Sequence, residues 1–152
     1  MEQIFYNYDD FRGDVLEIAR KIQLSGFQPK YIAGIARGGL VPAVFLSHWF
    51  QAPFLNIHLS LRDHQRSLDT SDLKFDGNIL IVDDIVDNGE TLSVLKSHLS
   101  KFDLEPGIEI RYSTLYFNTA QTKVQVDYYA REIDRTKDQR WINFFFESFH
   151  RS

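Results

Sequence analysis

Two aspartates stand side by side at positions 83 and 84, and a third, Asp87, opens the run Asp87-Asn88-Gly89-Glu90-Thr91. Paired carboxylates can hold sugar hydroxyls or a divalent cation, and they are costly in apolar surroundings unless a cationic or hydroxylated group meets them. Residues 79–82, Ile-Leu-Ile-Val, are apolar and β-branched, which predicts a strand buried on both faces with the acids at its carboxyl end. Residues 90–102 then carry Leu92, Leu95, Leu99 and Phe102 at helical spacing. A small-residue loop opening a helix offers unpaired N–H groups and the positive end of a dipole, both suited to a phosphate. Gly89 removes a side chain where a ligand must approach, and Thr91 adds a hydroxyl donor.

A second arrangement of this kind lies upstream. Residues 31–35, Tyr-Ile-Ala-Gly-Ile, read as another buried strand, followed by Ala36-Arg37-Gly38-Gly39 and a helix with Pro42 near its first position. Val44, Phe45, Leu46, Trp49 and Phe50 supply that helix with an apolar face. Gly38 and Gly39 allow backbone N–H groups to converge on one anion, and Arg37 adds a forked, permanent cation.

The remaining chain must position these two cradles. Residues 1–8 read as an extended aromatic piece packed on the body. Asp9 or Asp10 is a candidate N-cap for a helix bearing Phe11, Val15, Ile18, Ala19 and Ile22, which stops near Ser25-Gly26. Residues 53–59, 108–116 and 124–129 read as strands, and 60–76 as a long polar loop of the kind that serves as a lid. Strands alternating with helices imply an α/β fold with a mainly parallel central sheet, whose ligands bind beyond the carboxyl ends of the strands. A small hood from the two chain ends would cover that crevice.

Bulk properties narrow the class. The 152 residues form one domain's worth, with 43% hydrophobic and 25% charged residues, as in an ordinary globular protein. There is no cysteine, which excludes disulfides and thiolate chemistry and fits a cytoplasmic location. A net charge of −4 argues against nucleic acid as a partner. No apolar run approaches bilayer length, so no membrane association is expected. His48, His58, His64, His98 and His150 show no metal-ligand spacing.

Residues 79–92 resemble the phosphoribosyl-diphosphate (PRPP) signature of type I phosphoribosyltransferases, matched at Asp83, Asp84, Asp87, Gly89 and Thr91, with Asn88 where the family has Thr. Residues 36–43 resemble the pyrophosphate loop of the bacterial and archaeal xanthine-guanine and hypoxanthine types. The resemblance implies a type I phosphoribosyltransferase fold and transfer of the 5-phosphoribosyl group from PRPP to a 6-oxopurine. Asp83 and Asp84 would hold the ribose and Mg²⁺, and Asp87, Asn88, Gly89, Glu90 and Thr91 the 5-phosphate. Asp87 would also act as general acid/base at the purine N7. Ala36, Arg37, Gly38 and Gly39 would hold pyrophosphate, with the Ala36–Arg37 peptide cis, and Arg62 or Arg66 would join them from the flap. The tail 141–147 resembles the family's base-binding hood: Trp141 would stack on the base, Ile142 would offer backbone groups, and Glu147 would be a further metal ligand. Where the family has a base-binding Lys this chain has Asn118, with Lys123 near enough in sequence to substitute. A homodimer or homotetramer is the family's usual state. The competing reading is a regulator that binds PRPP without transferring it.

Overall fold

The computed structural model describes residues 2–61 and 66–147. Its strands are β1 (Gln3–Tyr6), β2 (Tyr31–Ala36), β3 (Phe54–Ser60), β4 (Ser67–Asp69), β5 (Ile79–Val86), β6 (Ile110–Asn118), β7 (Tyr128–Ile133) and β8 (Trp141–Phe144). The helices are α1 (Tyr8–Ser25), α2 (Leu40–Phe50) and α3 (Glu90–Leu99), and a short 3₁₀ turn, Phe145–Glu147, follows β8. Six strands form the central sheet in the order β4-β3-β2-β5-β6-β7, and β1 and β8 form a separate pair. Only β4 runs antiparallel to its neighbour in the main sheet. The mainly parallel α/β architecture expected from the alternation of elements is therefore present.

Strand order decides where a ligand can sit. From β2 the chain moves outward to β3, then returns to place β5 on the other side of β2. The carboxyl ends of β2 and β5 thus flank a topological switch point, where helices diverge and a crevice opens. Both loops singled out above leave from these two ends.

Two apolar layers enclose the sheet. Leu80 and Val82 face α1 and α2, in a core with Phe11, Ile18, Ile22 and Leu46, whereas Ile79 and Ile81 face α3 through Leu92, Leu95 and Leu99. This alternation slips at the acids, because Ile85 returns to the first core and Val86 to the second. At the slip each carboxylate accepts from the next backbone N–H: Asp83 from Asp84 at 2.9 Å and Asp84 from Ile85 at 2.8 Å.

Several boundaries differ from those expected, each for a local reason. The N-cap of α1 is Asn7, not Asp9 or Asp10, because Asn7 and Asp10 form a reciprocal capping box at 2.8 and 3.2 Å. In α2 the buried residues are Pro42, Ala43, Leu46 and Ser47, while Val44, Phe45 and Trp49 stay substantially exposed. A helix apolar all round gives no periodic cue to its inner face. Helix α3 ends at Leu99, so Phe102 lies beyond it and stacks on Phe75. The strand expected at 124–129 begins at Tyr128 instead, where pairing with Ser113 sets the register.

The chain ends meet as expected. Strand β1 pairs in parallel with β8, Ile4 opposite Ile142. A polar staple ties this end of the molecule to the sheet: the Tyr6 hydroxyl donates to Asp14 at 2.6 Å, and Arg131 of β7 donates to the same oxygen at 2.7 Å. Burial, reinforced by the Asp14 hydrogen bond, holds the Tyr6 hydroxyl far above its usual range. Replacing Asp14 with Ala would leave the buried phenol without its acceptor and the Arg131 guanidinium with the longer contact to Asp10 at 3.4 Å. The expected loss in urea unfolding is about 3 kcal/mol; a change below about 0.5 kcal/mol, the size of an ordinary surface substitution, would show that the staple is dispensable.

Candidate active site

The first loop meets the acidic pair. A Cβ built on Gly38 would run into the Asp84 carboxylate, and one on Gly39 would meet the Val82 carbonyl and, at 3.0 Å, the Asp83 Cα. Glycine is therefore required at both positions by the close approach of β5, and the first loop is wedged against the acidic pair. The turn is tight: Gly39 N–H donates to Ile35 O at 2.9 Å and Leu40 N–H to Arg37 O at 3.1 Å. The Ala36–Arg37 peptide is cis, at the position the resemblance implied, and the Arg37 side chain is exposed.

The second loop is built around Gly89, which caps α3 with φ +80°, the left-handed region that favours glycine. Asn88 Oδ1 accepts from Glu90 N–H at 2.9 Å, which leaves the next helical N–H groups, those of Thr91 and Leu92, without intrahelical acceptors. Residues 121–124 fold against this loop, with Gln121 Oε1 2.7 Å and the Lys123 Cβ 3.3 Å from where a Gly89 Cβ would stand. Lys123 thus lies beside the second loop.

Electrostatics mark the acidic pair as unusual. Burial pushes the Asp84 carboxyl up to about 8, with the charge of Asp83 adding to the effect. Burial likewise raises Asp83 to about 6, and the charge of Glu147 adds to it. Glu147 lies near enough to both acids to bear on their ionisation. The three-carboxylate metal site expected from sequence is, however, not preformed: among the described residues no three acidic or histidine side chains are grouped to hold an ion unaided. Asp83 and Asp84 each spend an oxygen on the backbone, so an ion here would need ligand oxygens to complete its shell.

Arg66, a candidate for the pyrophosphate loop, pairs with Glu90 of the second loop at 3.1 Å. Arg62 lies outside the described residues. Asn118 is buried and structurally committed: its Nδ2 donates to Asp87 O at 2.8 Å, and its Oδ1 accepts from Ala120 N–H and Arg135 N–H. Trp141 is 62% exposed and Ile142 is buried in the β1–β8 pair.

Arg135 was not anticipated. Its Nε donates to Asp87 Oδ1 at 3.0 Å and its Nη2 to Asp87 Oδ2 at 3.3 Å, a forked ion pair at the site's edge. The available signal was topological, because Arg135 closely follows the carboxyl end of a sheet strand, β7, on the ligand-binding edge.

With this geometry in view, the relationships of the chain are clear. The phosphoribosyl transferase domain model matches residues 6–148, and the chain belongs to that family. More narrowly, it is a type I phosphoribosyltransferase similar to the purine-specific members. It is 28% identical over 150 residues to a xanthine-guanine phosphoribosyltransferase of Idiomarina loihiensis, covering 93% of this chain and 85% of that one. A purine phosphoribosyltransferase from Pyrococcus horikoshii superposes with a TM-score of 0.78 at 28% identity, covering 100% of this chain and 98% of that one. The Helicobacter pylori xanthine-guanine-hypoxanthine enzyme shares the fold, with a TM-score of 0.80 at 24% identity over 97% and 95% of the two chains.

The raised acids carry a consequence for stability. A folded state that keeps protons which the unfolded chain has released loses stability as pH rises. In metal-free buffer the contribution of this pair to the melting temperature, read as the difference between the parent and Asp84→Asn, is expected to fall as pH rises from the ordinary aspartate value of 3.8 toward about 8. The lowered acids Asp76 and Asp138 give the opposite trend at the acid end. The Asp84→Asn variant should melt higher than the parent near the top of the range; parallel slopes in the two proteins would contradict it.

Proposed function

We propose that the chain transfers the 5-phosphoribosyl group of PRPP to a 6-oxopurine, releasing pyrophosphate, as a step of nucleotide salvage. The observation that carries this reading is the wedge of Gly38 against Asp84, which sets the Arg37 loop directly on the acidic pair that the 87–91 loop follows. A substrate with phosphates at both ends of a diol-bearing sugar fits that layout. The 6-oxopurine class is supported by the xanthine-guanine activity named for the Idiomarina relative.

In this reading Asp83 and Asp84 grip the ribose hydroxyls, and the N–H groups of 87–91 with the Thr91 hydroxyl hold the 5-phosphate. Ala36, Arg37, Gly38 and Gly39 hold the pyrophosphate, with Arg62 or Arg66 as the flap cation. Trp141 and Ile142 form the base side. Mg²⁺ would be held by one or two carboxylates drawn from Asp83, Asp84 and Glu147 together with substrate oxygens, and would neutralise charge building on the leaving group.

The reaction is a displacement at the anomeric carbon. The bond from purine N9 forms as the bond to the pyrophosphate oxygen breaks, through an oxocarbenium-like state. The proton carried by N7 passes to the Asp87 carboxylate. Arg37 and the turn N–H groups stabilise negative charge where it accumulates, and the hood excludes water. A cytoplasmic enzyme, dimeric or tetrameric, completes the reading, with the exposed Phe45 and Trp49 of α2 as candidate contact residues.

Pyrophosphate release from PRPP and magnesium, measured with guanine, xanthine, hypoxanthine, adenine and uracil in turn, tests it. Release with the 6-oxopurines is expected. Tight PRPP binding with no release from any base would make the protein a sensor instead. Asp87→Asn should lower kcat by about a hundredfold or more while the KM for PRPP changes only a few-fold; undiminished turnover would remove Asp87 from proton transfer.

A further inference from the structure

We propose that Arg135 selects the base by its substituent at the 6-position, with Asn118 as the residue that positions it. The proposal rests on the reading above in one respect: it takes the base edge that carries N7 to lie against Asp87.

Arg135 is held from every side. Besides the fork onto Asp87, its Nη1 donates to Arg140 O at 2.7 Å and to Asp138 O at 3.3 Å. Its own backbone N–H donates to Asn118 Oδ1 at 3.1 Å. The side chain is only 19% exposed, although it follows a surface strand end. Four of the guanidinium's five N–H groups are engaged, and among the described residues the fifth, on Nη2, meets no acceptor. That N–H belongs to the nitrogen already bonded to Asp87 Oδ2.

The pair therefore presents an acceptor and a donor side by side. On a purine, N7 and the 6-substituent are neighbours on one edge. A base protonated at N7 with an oxo group at C6 offers the complement, a donor beside an acceptor. With an amino group at C6 the same edge offers two donors, and one of them faces a guanidinium N–H. Such a mismatch leaves a partly buried donor unsatisfied, and polar sites of this kind discriminate strongly.

Asn118 cannot do this itself. Its Oδ1 already accepts two backbone N–H groups, and its Nδ2 ties down Asp87 O. One amide thus clamps the backbones of both Asp87 and Arg135 and fixes the spacing of the donor–acceptor pair. Arg140 O and Asp138 O brace the guanidinium from the other side, immediately before Trp141.

The test compares inosine monophosphate with adenosine monophosphate by titration calorimetry on the full chain; N7 carries no proton in either, so the pair isolates the contact of Arg135 with the 6-substituent and the N1 proton that accompanies it. Transfer to hypoxanthine and adenine is measured in parallel. The parent protein should bind the 6-oxo nucleotide about a hundredfold more tightly. Arg135→Met should bring the ratio within about threefold, and Arg135→Lys, which keeps a charge but loses the fork, should fall between.

A folded Arg135→Met protein with the parental ratio would reduce Arg135 to a structural brace. Should that variant not fold, an unchanged ratio in Arg135→Lys overturns the proposal equally. Equal binding of the two nucleotides by the parent also overturns it. Selective binding that depends on Arg135, without turnover of any base, would uphold the proposal and remove the transferase reading.

Discussion

The contact between a glycine turn and a pair of buried carboxylates governs this molecule. Strands β2 and β5 are neighbours in the sheet, so the segments leaving their carboxyl ends must share one narrow space. That space admits backbone on one side and acid on the other, with no room for a side chain at Gly38 or Gly39. Helices α2 and α3 then pack on opposite faces of the sheet, and their N-termini diverge from the same crevice. The switch in strand order, the glycines and the acids are one feature seen at three scales.

The acids could not occupy this position as ordinary surface groups. Their burial works against ionisation, and the hydrogen bonds to the following backbone N–H groups offset only part of it. Carboxylates held in this way respond strongly to a cation or a hydroxylated ligand, because either supplies what solvent no longer does. Around them the structure places compensating charges at the rim: Arg66 against Glu90 and Arg135 against Asp87. Each acid of the second loop thus has its own arginine, drawn from a different part of the chain.

Much of this was legible in the residues. Residues 79–82 announced a buried strand because no polar side chain interrupts them, and the two glycine-bearing loops stood out because each follows such a strand. What escaped was whatever depends on pairing across the sheet. Asn118 read as a base-contacting residue, whereas its amide is spent on backbone groups of segments far away in sequence. Arg135 carried no local pattern, since its meaning comes from Asp87 lying two strands away. The start of β7 was misplaced because Val124 and Val126 look like strand residues, yet the register is dictated by β6. Helix α2 hid its inner face because its residues are apolar on every side.

The parallel pairing of β1 with β8 joins groups as far apart as Gln3 and Asn143, 140 residues along the chain. Closing so long a loop is a late and entropically unfavourable event, which cannot begin until β8 has left the ribosome. The strands and helices that bound the crevice between β2 and β5, by contrast, are made in the first two-thirds of synthesis. During biosynthesis the cleft between these two strands therefore takes shape first, its 87–91 loop is fastened next by Asn118 and Arg135, and the β1–β8 pair that carries Trp141 follows.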